Sequence, residues 1–261
     1  MIPDPSKDRA LKLPPAYRLV QLDEVDSTNS EAKRRAAQGA EDGTLIWARR
    51  QTGAYGRQGQ PWSGGGGDLF FSLITRPDCR LAEAAQLSFI SAVALGDAVG
   101  SVAPPLIEVT YKWPNDVLFN GRKGAGILLE SKGDDAGGLE WLVIGIGVNI
   151  ASFPTETRFP ATSLQFEGCP ASVGAVDLLE AFSRHFLSRV NSWLEDGFAP
   201  SRQAWLRHAH GLSEEIEVRL PQETFTGRFE GLDSQGALRL VLANGSERSV
   251  AAGEVYFPDG G

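Results

Sequence analysis

The sequence predicts a larger unit in which strands alternate with helices, followed by a small C-terminal β-barrel. Apolar residues alternate with period two in several short segments and recur at helical spacing in longer ones. An Asn120-Gly121 pair tolerates the positive φ of a type I′ turn and predicts a β-hairpin near the middle of the chain. After Gly211 the helical segments give way to short apolar runs separated by turns, which predicts the barrel.

The composition is that of an ordinary globular protein. The chain has 261 residues, 42% apolar and 22% charged, and is long enough to bury a substantial core. A formal net charge of -8 argues against a broad basic surface for nucleic acid. The N-terminus shows no signal-peptide pattern and no apolar run reaches about 18 residues, so we expect a cytoplasmic protein without a membrane span. Cys79 and Cys169 are then expected to be free thiols.

The first half of the chain is predicted to hold three strands and two helices. Thr28 and Glu31 form a T-x-x-E capping-box pattern, so a helix is expected to begin there and to end at Gly39. The free N–H groups at this helix start suit a carboxylate, a urea-like group or a phosphate, although most such starts cap only themselves. The other predicted elements are a proline-rich lead-in over residues 1–16, strands over 17–22, 44–48 and 69–75, and an apolar helix over 83–102.

A long glycine-rich loop follows the second strand, from Arg49 to Gly67. It contains further arginines at positions 50 and 57 and a tryptophan at position 62. The loop is not a Walker A loop, because no Gly-Lys-Ser/Thr follows and its last glycines lead into a strand. Its length and composition favour a mobile phosphate-covering loop, and the alternative is an exposed, merely flexible segment.

The central hairpin, residues 112–131, carries the clearest sign of a binding site. With the turn at Asn120-Gly121, Lys123 faces Leu118, and the small residues 124–126 face residues 115–117. A run without side chains to pack indicates a bulge, a tight sheet crossing, or a space that a ligand fills. The polar residues beside this gap, which favour an anionic ligand, are Lys112, Asn115, Asp116 and Lys123.

A second strand, over residues 139–150, shows the same clearing of side chains. One face carries large aliphatic residues that should bury against helices, and the other carries Gly145 and Gly147 beside Asn149. The glycines could simply permit close helix packing, but they repeat the pattern of Gly124 and Gly126. We therefore predict that the two strands form the floor of a pocket.

The C-terminal part begins with a polar connection over residues 151–175. Helices are predicted over 176–195 and about 200–210, and the later short strands make a barrel of roughly 45 residues, about the lower limit for independent stability. The predicted barrel strands cover 216–220, 224–232, 237–242 and 249–257. The predicted division is a lead-in over 1–16, a larger domain over 17–211 and the barrel over 212–261.

Four segments in a fixed order resemble the biotin–protein ligases, and the resemblance runs from about residue 18 to the C-terminus. It implies an α/β (α+β) domain of the class II synthetase-like biotin/lipoate ligase type, with a mixed sheet flanked by helices, joined to an SH3-like barrel. It also implies that biotin and ATP form biotinyl-5′-adenylate, whose acyl group passes to a lysine of a biotin carboxyl carrier domain. The segments are Asp26-Ser27-Thr28-Asn29, the loop from Gln51 to Trp62, KWPND from Lys112 with KGAGIL from Lys123, and GIGVN from Gly145.

The resemblance also implies roles for individual residues. Lys123 matches the lysine at the biotin carboxylate and the α-phosphate, and with Arg57 and Asp116 it forms the predicted catalytic set. Mg²⁺ is expected to neutralise the β- and γ-phosphates of ATP, with no metal-binding residue assigned. The predicted binding residues are Ser27, Thr28 and Gln51 at the polar ring end of biotin, Trp62 over the adenylate, Asn115 and Asn149 at the nucleotide, and Asn29, Gly56, Lys112, Gly126, Gly145 and Gly147.

One departure from the family pattern concerns the loop, which usually reads G-R-G-R-x-G-R-x-W. Tyr55 and Gln60 replace two of the three usual arginines. Each loss removes a charge-assisted contact worth on the order of 1.5 to 3 kcal/mol. We therefore expect an effect on adenylate retention more than on the fold, with three other arginines as candidates for compensation: Arg49, Arg50 and Arg122.

Two other functions stay open on the sequence alone. A lipoate or octanoate ligase shares the fold, although KWPND paired with K-x-x-G-I-L is closer to the biotin branch. A non-catalytic biotin-binding protein is the other alternative, because of the replaced arginines. Few residues precede the larger domain, so no N-terminal DNA-binding domain is expected. Members of the family often form homodimers.

Overall fold

The computed structural model describes residues 10–134, 138–157 and 159–257, which form two β-sheets and five α-helices. Residues 1–9 of the predicted lead-in and 258–261 of the predicted barrel lie outside the described residues. The strands of the first sheet are β1 (Arg18–Val25), β2 (Thr44–Gln51), β3 (Leu69–Thr75), β4 (Val109–Lys112), β5 (Asp116–Phe119), β6 (Arg122–Gly133) and β7 (Leu139–Val148). The helices are α1 (Thr28–Ala37), α2 (Leu81–Ala84), α3 (Gln86–Val102), α4 (Ala175–Asp196) and α5 (Ala199–Arg207).

The seven-stranded sheet is mixed, in the order β1-β2-β3-β7-β6-β5-β4. β1 and β2 are parallel, and α1 supplies the crossover that a parallel pair requires. Each of the other neighbouring pairs is antiparallel. This confirms the α/β class and the mixed sheet, with one strand, β4, that the sequence analysis had not separated from the hairpin.

The central strand β7 packs both of its faces. Its aliphatic residues, such as Ile144 and Ile146, lie in the main core with α3 and α4, as the alternation predicts. On the opposite face Val143 packs with Ala32 and Ala36 of α1 in a second, smaller cluster. Each large apolar side chain buried in this way contributes about 1.5 to 3 kcal/mol. The sheet is thus covered by helices on both faces, and the cleared end of β7 lies beside the start of α1.

The hairpin turn is confirmed. Asn120 and Gly121 have φ values of 49° and 76°, as a type I′ turn needs. The first two pairs of the predicted register are also found, Phe119 with Arg122 and Leu118 with Lys123.

Beyond Lys123 the predicted register is wrong. The pairing shifts at Gly124, so that Ala125 faces Val117 and Gly126 faces Asp116. A β-carbon on Gly124 would lie 2.0 Å from the Phe119 ring, so this glycine makes room for a neighbouring side chain in a β-bulge. The alternative that a ligand fills the space at Gly124 is excluded.

The start of α1 differs from the predicted capping box. Ser27 is the N-cap, and its hydroxyl accepts the backbone N–H of Ser30 at 3.4 Å. The Thr28 hydroxyl instead donates to Gln51, and Glu31 pairs with arginines of its own helix. The capping pattern therefore marked the right place but the wrong residue, because an adjacent serine competes for the cap.

The predicted apolar helix over residues 83–102 is two helices, α2 and α3, which meet at Ala85. By length and composition alone, Leu81–Val102 is a candidate membrane span, which the sequence analysis did not recognise because polar residues interrupt the apolar run. In the described part of the chain, 61% of its apolar window is buried, and α3 packs against α4. This packing is that of a core helix.

The second sheet has five antiparallel strands in the order β11-β10-β9-β8-β12. The strand predicted over 249–257 is in fact two strands, because the chain turns at residues 251–253. Trp205 of α5 joins the sheets, since the centroid of its ring lies 6.0 Å from that of Tyr111 in β4 and 6.5 Å from that of Phe229 in the second sheet. The strands are β8 (Glu215–Arg219), β9 (Thr224–Leu232), β10 (Leu238–Val241), β11 (Glu247–Val250) and β12 (Glu254–Tyr256).

Candidate active site

A cavity of about 590 Å³ opens over the cleared strands, between the start of α1, the loop after β2 and the last strand of the second sheet. All fifteen residues proposed from the sequence line it. They are Ser27, Thr28, Asn29, Gln51, Gly56, Arg57, Trp62, Lys112, Asn115, Asp116, Lys123, Gly126, Gly145, Gly147 and Asn149.

One end of the cavity presents neutral hydrogen-bonding groups. The carbonyl oxygen of the Gln51 side chain accepts two bonds from Thr28, from the backbone N–H at 2.7 Å and from the hydroxyl at 3.1 Å. The Ser27 hydroxyl accepts a backbone N–H, and within the described residues its own hydrogen has no protein acceptor. Ser27 and Thr28 are buried. The arrangement leaves donors and acceptors at the helix start that a neutral polar group can meet.

Asn29 explains one of the glycines in β7. Its side-chain oxygen lies 2.6 Å from the Ser72 hydroxyl, and a β-carbon on Gly145 would come within 1.9 Å of that same oxygen. Its amide nitrogen donates to Glu130 at 2.9 Å. Gly145 is therefore cleared for Asn29, which corrects the prediction that a ligand takes this space.

Trp62 lies over the other two cleared positions. β-carbons on Gly126 and Gly147 would each approach its ring to 2.8 Å. The indole nitrogen of Trp62 is buried without a hydrogen-bond partner among the described residues. The glycine floor at this end accommodates an aromatic ring, and the unpartnered N–H beside it can serve a bound ligand.

The two lysines of the hairpin have different surroundings. Lys123 forms a salt bridge to Asp116 at 2.7 Å. Lys112 is buried, and its ammonium lies 3.0 Å from the centre of the Phe159 ring and 5.7 Å from that of Tyr256. Burial lowers the pKa of Lys112 to about 8, although Asp116 and Glu254 raise it.

This burial predicts a pH-dependent stability. Between the native pKa near 8 and the ordinary value of 10.5, the unfolded chain binds a proton that the native state does not, so stability should rise with pH. Below pH 8 the buried charge costs up to about 3 kcal/mol. Lys112→Met should therefore raise the free energy of unfolding by about 1 to 3 kcal/mol at pH 7, and by less at pH 9.5.

Urea unfolding at the two pH values measures this difference. Lys132→Met is the matched control, because Lys132 is exposed and pairs with Glu140 outside the cavity. An equal effect of Lys112→Met at both pH values would contradict the lowered pKa of Lys112.

The two asparagines are held by the backbone. Asn115 donates its side-chain amide to the carbonyl of Ile127 at 2.8 Å, and Asn149 donates to that of Thr162 at 2.9 Å. Asn149 is buried, and within the described residues its side-chain oxygen has no partner. Because an unpaired buried acceptor is costly, this oxygen indicates a position for a ligand N–H or O–H.

Asp68, which the sequence analysis overlooked, builds the turn after Asn149. One of its carboxylate oxygens accepts the backbone N–H groups of Ile150, Ala151 and Ser152 at 2.8 to 3.1 Å. The other accepts from Gly65 at 2.8 Å and from the Ser152 hydroxyl at 2.6 Å. The available signal was an aspartate directly after four glycines, since a carboxylate can accept several N–H groups at once.

In the glycine-rich loop, the residues that border the cavity lie between Gln51 and Ser63. The glycines that follow pack on neighbouring side chains, since β-carbons on Gly64 and Gly65 would meet Phe70 and Ser152. Arg57 donates to the carbonyl of Gly253, directly before β12 of the second sheet, at 3.2 Å. The loop therefore bridges the two sheets at the cavity.

None of the three arginines considered as replacements lines the cavity. Arg49 and Arg50 pair with Asp23 and Glu24 of β1, and Arg122 pairs with Glu167. The structure therefore gives no support for the expectation that these three arginines replace the two missing loop arginines.

The cavity also contains residues that the sequence analysis missed. Glu254, Val255 and Tyr256 come from β12, and Phe159 comes from the connection predicted as merely polar. No periodicity or motif links these distant segments to the hairpin. Within the described residues no group of three or more His, Cys, Asp or Glu side chains is arranged to hold a metal ion.

Comparison with known proteins first identifies the class of protein to which the chain belongs. Residues 61–207 match the biotin/lipoate A/B protein ligase family, and residues 212–257 match the biotin protein ligase C-terminal domain. Among related proteins, a biotin–[acetyl-CoA-carboxylase] ligase of Paracoccus denitrificans is 39% identical over 90% of this chain and 99% of its own. The bifunctional ligase/repressor BirA of Bacillus subtilis is 32% identical over 90% of this chain and 72% of its own.

The fold agrees. The biotin protein ligase of Aquifex aeolicus in complex with biotin and ATP has a TM-score of 0.77 and 26% identity, covering 92% of this chain and 97% of its own. The chain therefore belongs to the biotin protein ligase family.

Proposed function

We propose that this protein activates biotin with ATP as biotinyl-5′-adenylate and transfers the biotinyl group to a lysine of a biotin carboxyl carrier domain. The observation that carries the proposal is the distribution of polar groups in this cavity. Neutral hydrogen-bonding groups lie at Ser27, Thr28 and Gln51, and the Lys123–Asp116 ion pair lies elsewhere in the same lining. Biotin has the same polarity, with a neutral ureido ring at one end and a carboxylate at the other.

In the first step, a carboxylate oxygen of biotin attacks the α-phosphorus of ATP, and the bond from this phosphorus to the bridging oxygen breaks to release pyrophosphate. Two anions must approach each other, and the Lys123 ammonium is proposed to lie between them. Arg57 and Trp62, on the loop, are proposed to cover the product, and Asn115 and Asn149 to contact the nucleotide. The buried, unpartnered side-chain oxygen of Asn149 supports this last role.

Mg²⁺ is proposed to arrive with ATP. The described residues offer no cluster of carboxylates for a resident metal centre, whereas phosphate oxygens are the hard ligands that Mg²⁺ prefers. Bound in this way, it would reduce the negative charge of the β- and γ-phosphates.

In the second step, the amine of the carrier lysine attacks the acyl carbon, and the bond from this carbon to the AMP oxygen breaks. Its ammonium must first lose a proton, and its reference pKa is about 10.4. Asp116 is proposed to position or accept this proton when the Lys123 contact is released to the ligand. The division into a catalytic domain over residues 17–211 and a C-terminal domain over 212–261, a cytoplasmic location, a homodimer and the lack of nucleic-acid binding are part of the same proposal.

Asp116→Asn tests the second step. The acyl transfer rate from preformed biotinyl-adenylate should fall by about 10² to 10⁴, the range for a positioned proton acceptor. Single-turnover transfer to a purified carrier domain, with a pH series, measures it. A normal transfer rate would show that Asp116 only orients Lys123.

Pyrophosphate exchange into ATP tests the function as a whole. With biotin the exchange should be rapid, and with lipoate, octanoate or no acid it should stay at background. Exchange driven by lipoate would instead indicate a lipoate ligase. Exchange with none of the acids, despite biotin binding, would indicate a non-catalytic biotin-binding protein.

A further inference from the structure

Glu130 of β6 joins the loop, helix α1 and the sheet beside the cavity. One of its carboxylate oxygens accepts the Tyr55 hydroxyl at 2.9 Å and the Asn29 amide at 2.9 Å. The other forms a salt bridge with Lys33 at 2.5 Å. Bonds to a charged acceptor are stronger than neutral ones, so the three donors are held together firmly.

Tyr55 has a second link to α1. Its hydroxyl lies 3.4 Å from that of Ser30, and the Lys33 ammonium lies 5.5 Å from the centre of the Tyr55 ring. Although burial lowers the pKa of Lys33, its bonds to Glu130 and Tyr55 raise it overall. Lys33 therefore keeps its positive charge beside Tyr55, the residue that replaces one of the usual loop arginines.

Further hydrogen bonds connect Asn29 to Gln51, at the beginning of the loop. The Ser72 hydroxyl lies 2.6 Å from the Asn29 side-chain oxygen and 2.8 Å from the Thr28 hydroxyl. Thr28 in turn donates to Gln51, where the loop begins. Gln51 and Tyr55 are thus fixed to one partly buried network that passes through α1, β3 and β6.

Within this network, Tyr55 and Asn29 line the cavity, whereas Glu130 and Lys33 do not. Glu130 and Lys33 can therefore affect a ligand only through the groups that they hold. A loop already fixed before binding loses less conformational entropy when the ligand arrives.

We propose that Tyr55, Glu130 and Lys33 are positioning residues that fix the loop over the cavity before ligand binds, and thereby set how long the acyl-adenylate is retained. The proposal rests on the proposed function for its ligand, but the fixed loop itself does not depend on it. The Tyr55 hydroxyl and Lys33 of α1 then account for the retention of the adenylate, which the two replaced loop arginines had put in doubt.

The test compares Tyr55→Phe and Lys33→Met with the wild type. Each variant should release preformed biotinyl-adenylate about three- to tenfold faster, the effect of one hydrogen bond to a charged group at a partly exposed site. The single-turnover rate of adenylate formation at saturating biotin and ATP should change by less than about twofold. Because Tyr55 and Lys33 act on one carboxylate, the double variant should be less impaired than the product of the two singles.

Lys132→Met is the matched control, since it removes a salt bridge of the same strand outside the cavity, and its release rate should equal that of the wild type. Release at the wild-type rate in Tyr55→Phe would overturn the proposal, as would equal acceleration in Lys132→Met. A general loss of structure is excluded if the urea midpoints agree.

Hydrogen exchange of residues 52–63 in the ligand-free protein separates this proposal from the proposed function. Faster exchange in Tyr55→Phe than in the wild type supports the fixed loop, even if the wild type forms no adenylate. Unchanged exchange overturns it, whatever the enzyme activity.

Discussion

Replacement of Lys123 by alanine should lower the rate of biotinyl-adenylate formation by about 10² to 10³, the effect of removing one preorganised charge-stabilising donor. A cation about 4 Å from each of two anions offsets roughly 4 kcal/mol per pair at an effective dielectric constant near 20. Asp116 holds the Lys123 ammonium at 2.7 Å, so the charge has a fixed position in the cavity.

Single-turnover formation of adenylate, followed by pyrophosphate release, measures the loss. Arg122→Met is the matched control, because Arg122 is the preceding residue of the same strand and pairs with Glu167 outside the cavity. An unchanged adenylation rate in Lys123→Ala would remove Lys123 from the first step.

Asp68→Ala should be the most destabilising single change near the site, lowering the free energy of unfolding by about 2 to 4 kcal/mol. Asp68 is 3% exposed, and its loss removes the acceptor of five hydrogen bonds, four of them donated by backbone N–H groups. Some of these lie near the surface and can bind water, which sets the upper limit. Nucleotide affinity should fall as well, because the turn follows Asn149.

Urea unfolding checks the stability, and Asp68→Asn is the matched control. Asparagine keeps one oxygen to accept the three backbone N–H groups, so it should lose less than half as much as alanine. If alanine changed the free energy of unfolding by under about 0.5 kcal/mol, the turn would not depend on this carboxylate.

Local signals predicted most of the fold. The strands Leu69–Thr75 and Thr224–Leu232 have the predicted bounds, because their alternation and flanking turn residues are contained in the segment itself. The turn at Asn120-Gly121 is likewise a property of two residues. The bulge at Gly124 is not, since it depends on where the Phe119 ring packs.

The sequence predicted which residues line the cavity better than it predicted the contacts that these residues make. Conformational requirements and motifs identified the glycines, but only the packed structure shows that Asn29 and Trp62 occupy the space beside them. The sequence places two lysines beside Asp116, and only the packed structure shows that Lys123 forms the salt bridge to it. Glu254 and Tyr256 could not be anticipated, because their approach to Lys112 depends on how the two sheets pack.

The aromatic surroundings of Lys112 have a consequence for truncation. Two of the three rings near its ammonium, Tyr256 and Phe257, come from β12 and the residue that follows it. All seven strands of the first sheet lie before β12, so a chain cut before Glu254 would keep these strands but lose both rings. Of the three rings, only Phe159 would then remain over the Lys112 ammonium.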